Sequence, residues 1–194
     1  MRTVRLLVVS MVFAAVFAVS ALAQSASGKV GLINTYAFAD TKGGITKYVA
    51  QLNKLSAEFK PDETKLNNLV KQLQALEKEI QNLQKQMQVK GSPISAKTVQ
   101  PKVDRYNKLK RDFKFQQEDV QARVESRRKV LVNPILSDIM KSMQAFAKQK
   151  GYSVILDGAK LQESGILMAF DQKTDVTKEF IAYYNARPAG TATK

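Results

Sequence analysis

The chain has 194 residues, with 31 Lys and Arg against 17 Asp and Glu, a formal net charge of +14, and neither cysteine nor histidine. Those absences exclude disulfides, thiolate nucleophiles and Cys/His zinc sites, and they remove the usual acid–base residue of neutral-pH catalysis. A positive excess of this size asks for a partner of opposite sign.

Residues 1–23 read as an export signal. Arg2 and Arg5 give a positive start, LLVVSMVFAAVFAVS is an apolar core, and Ala21-Leu22-Ala23 is a small-x-small cleavage site. The competing reading is an uncleaved anchor, because Leu6 to Ala23 supplies about 18 mostly apolar residues. The well-formed Ala-x-Ala ending favours cleavage. Removing residues 1–23 takes away two arginines and no acid, leaving +12.

KVGLIN, residues 29–34, is a compact β-prone run and predicts a strand. Asp40, Gly43 and Gly44 mark a turn, and a long helix is expected from 45 to 90. Its seam follows a seven-residue count. One register holds Ile45, Leu52, Phe59, Leu66, Leu73, Ile80 and Met87, and the other holds Tyr48, Leu55, Asp62, Leu69, Leu76 and Leu83. A narrow apolar seam of period 3.5 is the signature of a coiled coil, not of a globular core helix. Pro61 and Asp62 interrupt it, and proline predicts a kink or a restart there.

Gly91-Ser92-Pro93 is a turn, with the tip of the arm near 88–98. A second seam then runs through Val99, Val103, Tyr106, Lys110, Phe113, Gln117, Val120, Val124, Arg127 and Leu131. Two heptad helices joined by a short turn fold back on each other. At ~1.5 Å per residue, an arm of about 45 residues reaches roughly 65 Å. From Val130 the apolar density rises. Ile135, Ile139, Met143 and Phe146 share one helical face, Pro134 is expected to bend the helix, and Gly151 to end it behind Lys148 and Lys150.

YSVILD (152–157) and GILMAF (165–170) predict two more strands, and Thr174 and Asp175 cap a last helix over 176–185. The expected fold class is therefore α+β. A small β body, residues 29–44 plus 151–185, carries a long antiparallel coiled-coil hairpin inserted as 45–150, and 186–194 form a disordered tail. Three short strands cannot cover both of their faces. Val30, Leu32, Ile33, Val154, Ile155, Leu156, Ile166 and Leu167 are thus expected to serve oligomerisation.

The charge is unevenly placed. Residues 45–90 carry +3 and 102–150 carry +7, whereas 151–194 are neutral. Three readings compete for the basic arm: a solvated helical face, phosphate neutralisation on nucleic acid, and attraction for an acidic client or an anionic membrane surface. Export and the lack of a base-reading motif argue against nucleic acid. Lys110, Arg111, Lys114, Arg123, Arg127 and Arg128, with the off-seam Phe115, are the candidate client contacts; Val130 and Val132 also lie off the seam. Tyr106 and Phe113 on the softer seam join Val130 and Val132 as further expected client contacts, and Leu66 to Met87 are read as structural. Asp157, Glu163, Asp171 and Asp175 fall in loops and caps without a catalytic spacing, so no catalytic, cofactor or metal residues are assigned.

KVGLIN, the long Gln/Lys/Leu-rich hairpin, NPIL, GYSVILD and DVTKEFIAYYN follow one another in an order that resembles the Skp (OmpH) family of periplasmic chaperones, over roughly 29–185. The resemblance implies a homotrimer shaped like a jellyfish, with three β bodies joined and three helical arms around a cavity. It implies an ATP-independent holdase for unfolded outer-membrane proteins, located in the periplasm. An envelope coiled-coil spacer remains the alternative.

Overall fold

The computed structural model describes residues 28–188. The expected export signal therefore lies outside the described residues, as do the last six positions. The chain divides into two compact units. Among the described residues, one holds 28–35 and Ser142–Tyr183; the other holds Tyr36–Lys141 and 184–188.

The first unit is built on two strands. β1 (Lys29–Ile33) pairs in parallel with β2 (Tyr152–Asp157), with Val30 beside Val154 and Leu32 beside Leu156. A parallel pair cannot be closed by a tight turn, so a crossover must separate the strands in sequence. Gly31 is closely packed, since a Cβ there would meet the side chains of Tyr152, Ile155 and Val176 at 3.3–3.4 Å. Behind the sheet, the Phe146 ring is fully buried and meets Tyr152, Phe180 and Tyr183 at centroid distances of 6.0, 5.5 and 5.3 Å. Lys150 Nζ reaches Glu179 Oε1 at 2.8 Å.

The third strand expected over 165–170 does not form. Residues 165–171 carry no strand, and the edge next to β1 is taken instead by Asp175 and Val176, whose N–H donates to the Leu32 carbonyl at 2.9 Å. GILMAF has strand-forming side chains, but it pairs with neither edge of the two-stranded sheet. Its start is also diverted. The Leu161 carbonyl accepts from both Ile166 and Leu167 behind Gly165, which has φ +72°.

Three short elements among the described residues were not expected from sequence: a 3₁₀ turn at Thr35–Ala39 that buries Phe38, a one-and-a-half-turn helix at Gly158–Glu163, and a 3₁₀ turn at Gln172–Thr174.

The second unit is dominated by α1 (Thr46–Met87) and α2 (Ala96–Leu131). At ~1.5 Å per residue α1 is about 63 Å long. Ion pairs join the two helices at Glu79–Lys102, Asp62–Arg123 and Glu58–Arg127, so they run in opposite directions. The α1 seam residues Leu52, Leu55, Phe59, Leu66, Leu69, Leu73 and Leu83 are half-buried, Leu76 and Ile80 are buried, and Met87 is exposed near the turn. Pro61 lies inside α1 and the helix does not restart there.

Pro134 does mark a boundary. α2 ends at Leu131, and α3 (Asn133–Lys150) begins two residues later. Without an N–H, Pro134 cannot donate to the Val130 carbonyl, and the helix is interrupted at that level. Gly151 then adopts φ +74°, the left-handed conformation that terminates α3. α4 (Gly158–Glu163) and α5 (Thr177–Asn185) complete the order.

Candidate functional site

α2 presents its basic residues in a dense run. KLKRDFKF, residues 108–115, is helical because straight-chain cations favour helix and no glycine or β-branched residue interrupts them. Lys110, Arg111, Lys114 and Phe115 are exposed, with Phe115 at 72 %. An open groove of 540 Å³ is lined by Asn107, Lys110, Arg111, Phe113, Lys114 and Gln117. Asp112 lies within the run and Glu118 lies 3.9 Å from the Lys114 ammonium, yet the run stays net positive.

The seam assigned to α2 needs one correction here. Lys110 and Gln117 are exposed, and Leu109 and Gln116 are the half-buried residues at that level. The steps through Tyr106, Leu109, Phe113, Gln116, Val120 and Val124 are three, four, three, four and four. An α-helix has 3.6 residues per turn and so drifts against a strict seven-residue count. Apolar identity alone could have found Leu109, which a preference for steps of four after Tyr106 passed over. Val99 is buried, and Val103, Tyr106, Phe113, Val120 and Val124 are half-buried.

The other expected cations are divided. Arg123 Nη2 lies 2.7 Å from Asp62 Oδ1 and its Nε 2.9 Å from Asp119 Oδ2, while the guanidinium sits 5.5 Å over the Phe59 ring. Arg127 Nε is 2.9 Å from Glu58 Oε2. The hydrogen bond from Arg123 holds the Asp62 carboxyl below its ordinary range, and Asp62 followed by Asp119 raises Arg123 in return. This explains a carboxylate in an apolar seam: Asp62 is there for Arg123. Arg128 is exposed. Val132 is fully buried and not available to a partner, whereas Val130 is 63 % exposed.

In the first unit, the apolar residues separate into two sets. Leu32 and Ile33 are buried, and Ile155 and Leu167 are half-buried. Val30, Val154, Leu156 and Ile166 are exposed, the last at 73 %, and Met168 is exposed at 86 %. Val30 and Val154 are register partners on one face of the sheet, where a water-exposed apolar patch is unfavourable for a lone chain.

The loop carboxylates close local structure. Asp157 accepts from the Lys160 N–H and, at 2.6 Å, from the Thr35 hydroxyl; Asp171 accepts from the Lys173 N–H at 3.0 Å; Asp175 accepts from the Thr177 N–H at 2.8 Å. These are turn and helix-start roles. Among the described residues no group of three or more His, Cys, Asp or Glu is placed to hold a metal, and no helix is long and apolar enough to cross a membrane. The exposed chemistry is cationic, aromatic and aliphatic. It can hold another chain through weak non-covalent contacts.

The model of the family described as outer membrane protein (OmpH-like) matches residues 36–184, most of the chain. No curated protein matches.

Proposed function

The chain belongs to the OmpH-like family, and on that premise we propose that it is an ATP-independent holdase of the periplasm, binding unfolded outer-membrane proteins and preventing their aggregation. The observation that carries this reading is the groove of α2, lined by Lys110, Arg111, Lys114 and Phe113, with the exposed Phe115 on the same helix. Cations attract acidic segments from a distance, and a few exposed rings add short-range contact without a fixed sequence preference. Binding of that kind is weak per contact, so clients can leave without fuel. It is a non-catalytic role, consistent with the structural duties of the loop carboxylates.

The proposed working form is a homotrimer in which the exposed apolar patch around Val30, Val154, Leu156 and Ile166 is covered by neighbouring copies. The proposed division follows the sequence reading, with the strands serving assembly and residues 45–150 serving as the client arm. Lys85, Lys90 and Lys97 around the turn would favour passing contact with an anionic membrane surface.

The test is light scattering of a urea-denatured outer-membrane β-barrel diluted into buffer, with and without the chain lacking residues 1–23, in the absence of ATP. Suppression that saturates near three chains per client supports the trimeric holdase. Unchanged aggregation with a folded chain would sink it and leave an envelope spacer as the better reading.

A further inference from the structure

The weakest backbone position of α1 and its seam carboxylate are neighbours. Pro61 has no N–H to give to the Ala57 carbonyl, and its ring crowds the preceding turn. Asp62 then stands where the heptad would place an apolar residue, so the seam loses cohesion at the level where the backbone is already compromised. The same level carries a concentration of interhelical charge. Arg123 bridges Asp62 and Asp119 and covers the Phe59 ring, and Arg127 pairs with Glu58 on the preceding turn of α1. Lys65 adds to the positive field on Asp62, and Lys60 is engaged locally with Glu63 at 2.9 Å.

We propose that Glu58, Asp62, Arg123 and Arg127 form an ionic clasp that closes the arm at its Pro61 weak point, and that the arm loosens at this level when salt rises. The clasp replaces apolar cohesion with interactions of the opposite salt response. The side chains of Asp62 and Arg123 are 25 % and 47 % exposed, so mobile ions reach and screen them. Apolar seam contacts, such as those of the buried Leu76 and Ile80, are not weakened by salt. A single arm therefore holds a hinge closed by two interhelical ion pairs next to a stretch that has one, Glu79–Lys102, beside a buried apolar seam and so answers salt less. The inference concerns the arm alone and does not depend on what the arm encloses.

Hydrogen exchange of the full chain without client tests this at about 20 mM and about 500 mM NaCl. Amides of residues 54–66 are expected to exchange about fivefold faster at high salt, while those of 69–83 change by about twofold or less. Asp62→Leu, which continues the apolar seam, is expected to abolish most of the salt response. Arg123→Gln should exchange fast in 54–66 at both salt levels. An equal response of the two stretches in the unaltered chain overturns the clasp, and so does a full salt response in Asp62→Leu.

Discussion

Tyr184 donates its hydroxyl to the Asp138 carboxylate at 2.7 Å, and Arg187 approaches the same carboxylate at 3.3 Å with its guanidinium 5.3 Å over the Tyr184 ring. Burial, followed by the hydrogen bond to Asp138, raises the Tyr184 pKa well above the ordinary phenol value. The neutral phenol is thus favoured by folding. Its contribution is fully present below about pH 10 and is lost as pH rises from there toward the folded-state pKa, because the folded state then holds the extra proton. Urea unfolding should show stability falling above about pH 10, and Tyr184→Phe should flatten that fall while costing about 1 kcal/mol at neutral pH. A variant with an unchanged high-pH slope would refute the assignment.

Asn185 supplies the start of α1. Ile45 occupies the N-cap position and cannot accept a hydrogen bond through its side chain; Asn185 Oδ1 accepts from the Thr46 N–H at 3.1 Å, and its Nδ2 donates to the Gly44 carbonyl at 3.0 Å. Asn185→Ala should cost about 1 kcal/mol in thermal unfolding, and Asn185→Asp less, since a carboxylate keeps the acceptor and loses only the donor.

The register of α2 can be read from a pair of neighbours. Leu109→Ala is expected to destabilise by about 1–2 kcal/mol, as a half-buried leucine would, and Lys110→Ala to leave the urea midpoint nearly unchanged. The reverse order would place Lys110 in the seam after all.

The basic groove makes a separable prediction. Lys110, Arg111 and Lys114 changed together to Gln should raise the amount of chain needed to suppress client aggregation by about fivefold at low salt and by little at high salt. Phe115→Ala should weaken suppression at both. Equal suppression by all three proteins would move client contact elsewhere.

The proposed assembly uses the exposed apolar patch. Val154→Glu places a charge beside Val30 on the face proposed to meet other copies. Sedimentation should show the unaltered chain as a trimer and the variant as a monomer at micromolar concentration. A trimeric variant would remove this patch from the interface.

Much of the architecture was legible because it is written in short-range spacing. Leu66 to Met87 announce a helical seam through steps of three and four, Gly91-Ser92-Pro93 announce the turn, and Gly151 ends a helix because a residue without a Cβ tolerates its positive φ. The two strands around KVGLI and YSVILD were equally plain. Their parallel pairing, the register that puts Val30 beside Val154, and the loss of GILMAF to a loop depended on where distant segments meet in space. The 3₁₀ turn at Thr35–Ala39 and the short helix after Asp157 carry no long periodicity to announce them.

The candidate groove was half legible. Phe115 and the cations stood out as off-seam or charged, but the seven-residue count placed Lys110 in the seam where the apolar Leu109 beside it is the half-buried residue.

By itself, then, the sequence determined the long heptad helices, the excess of positive charge on them, and the absence of thiol and imidazole chemistry. Those properties are local or compositional, and no partner is needed to state them. The tertiary structure alone decided that Asp62 answers Arg123, that Asn185 caps a helix begun 139 residues earlier, and that Asp138 holds Tyr184. A hydrogen bond depends on where two groups meet in space, and separation along the chain carries no record of that meeting.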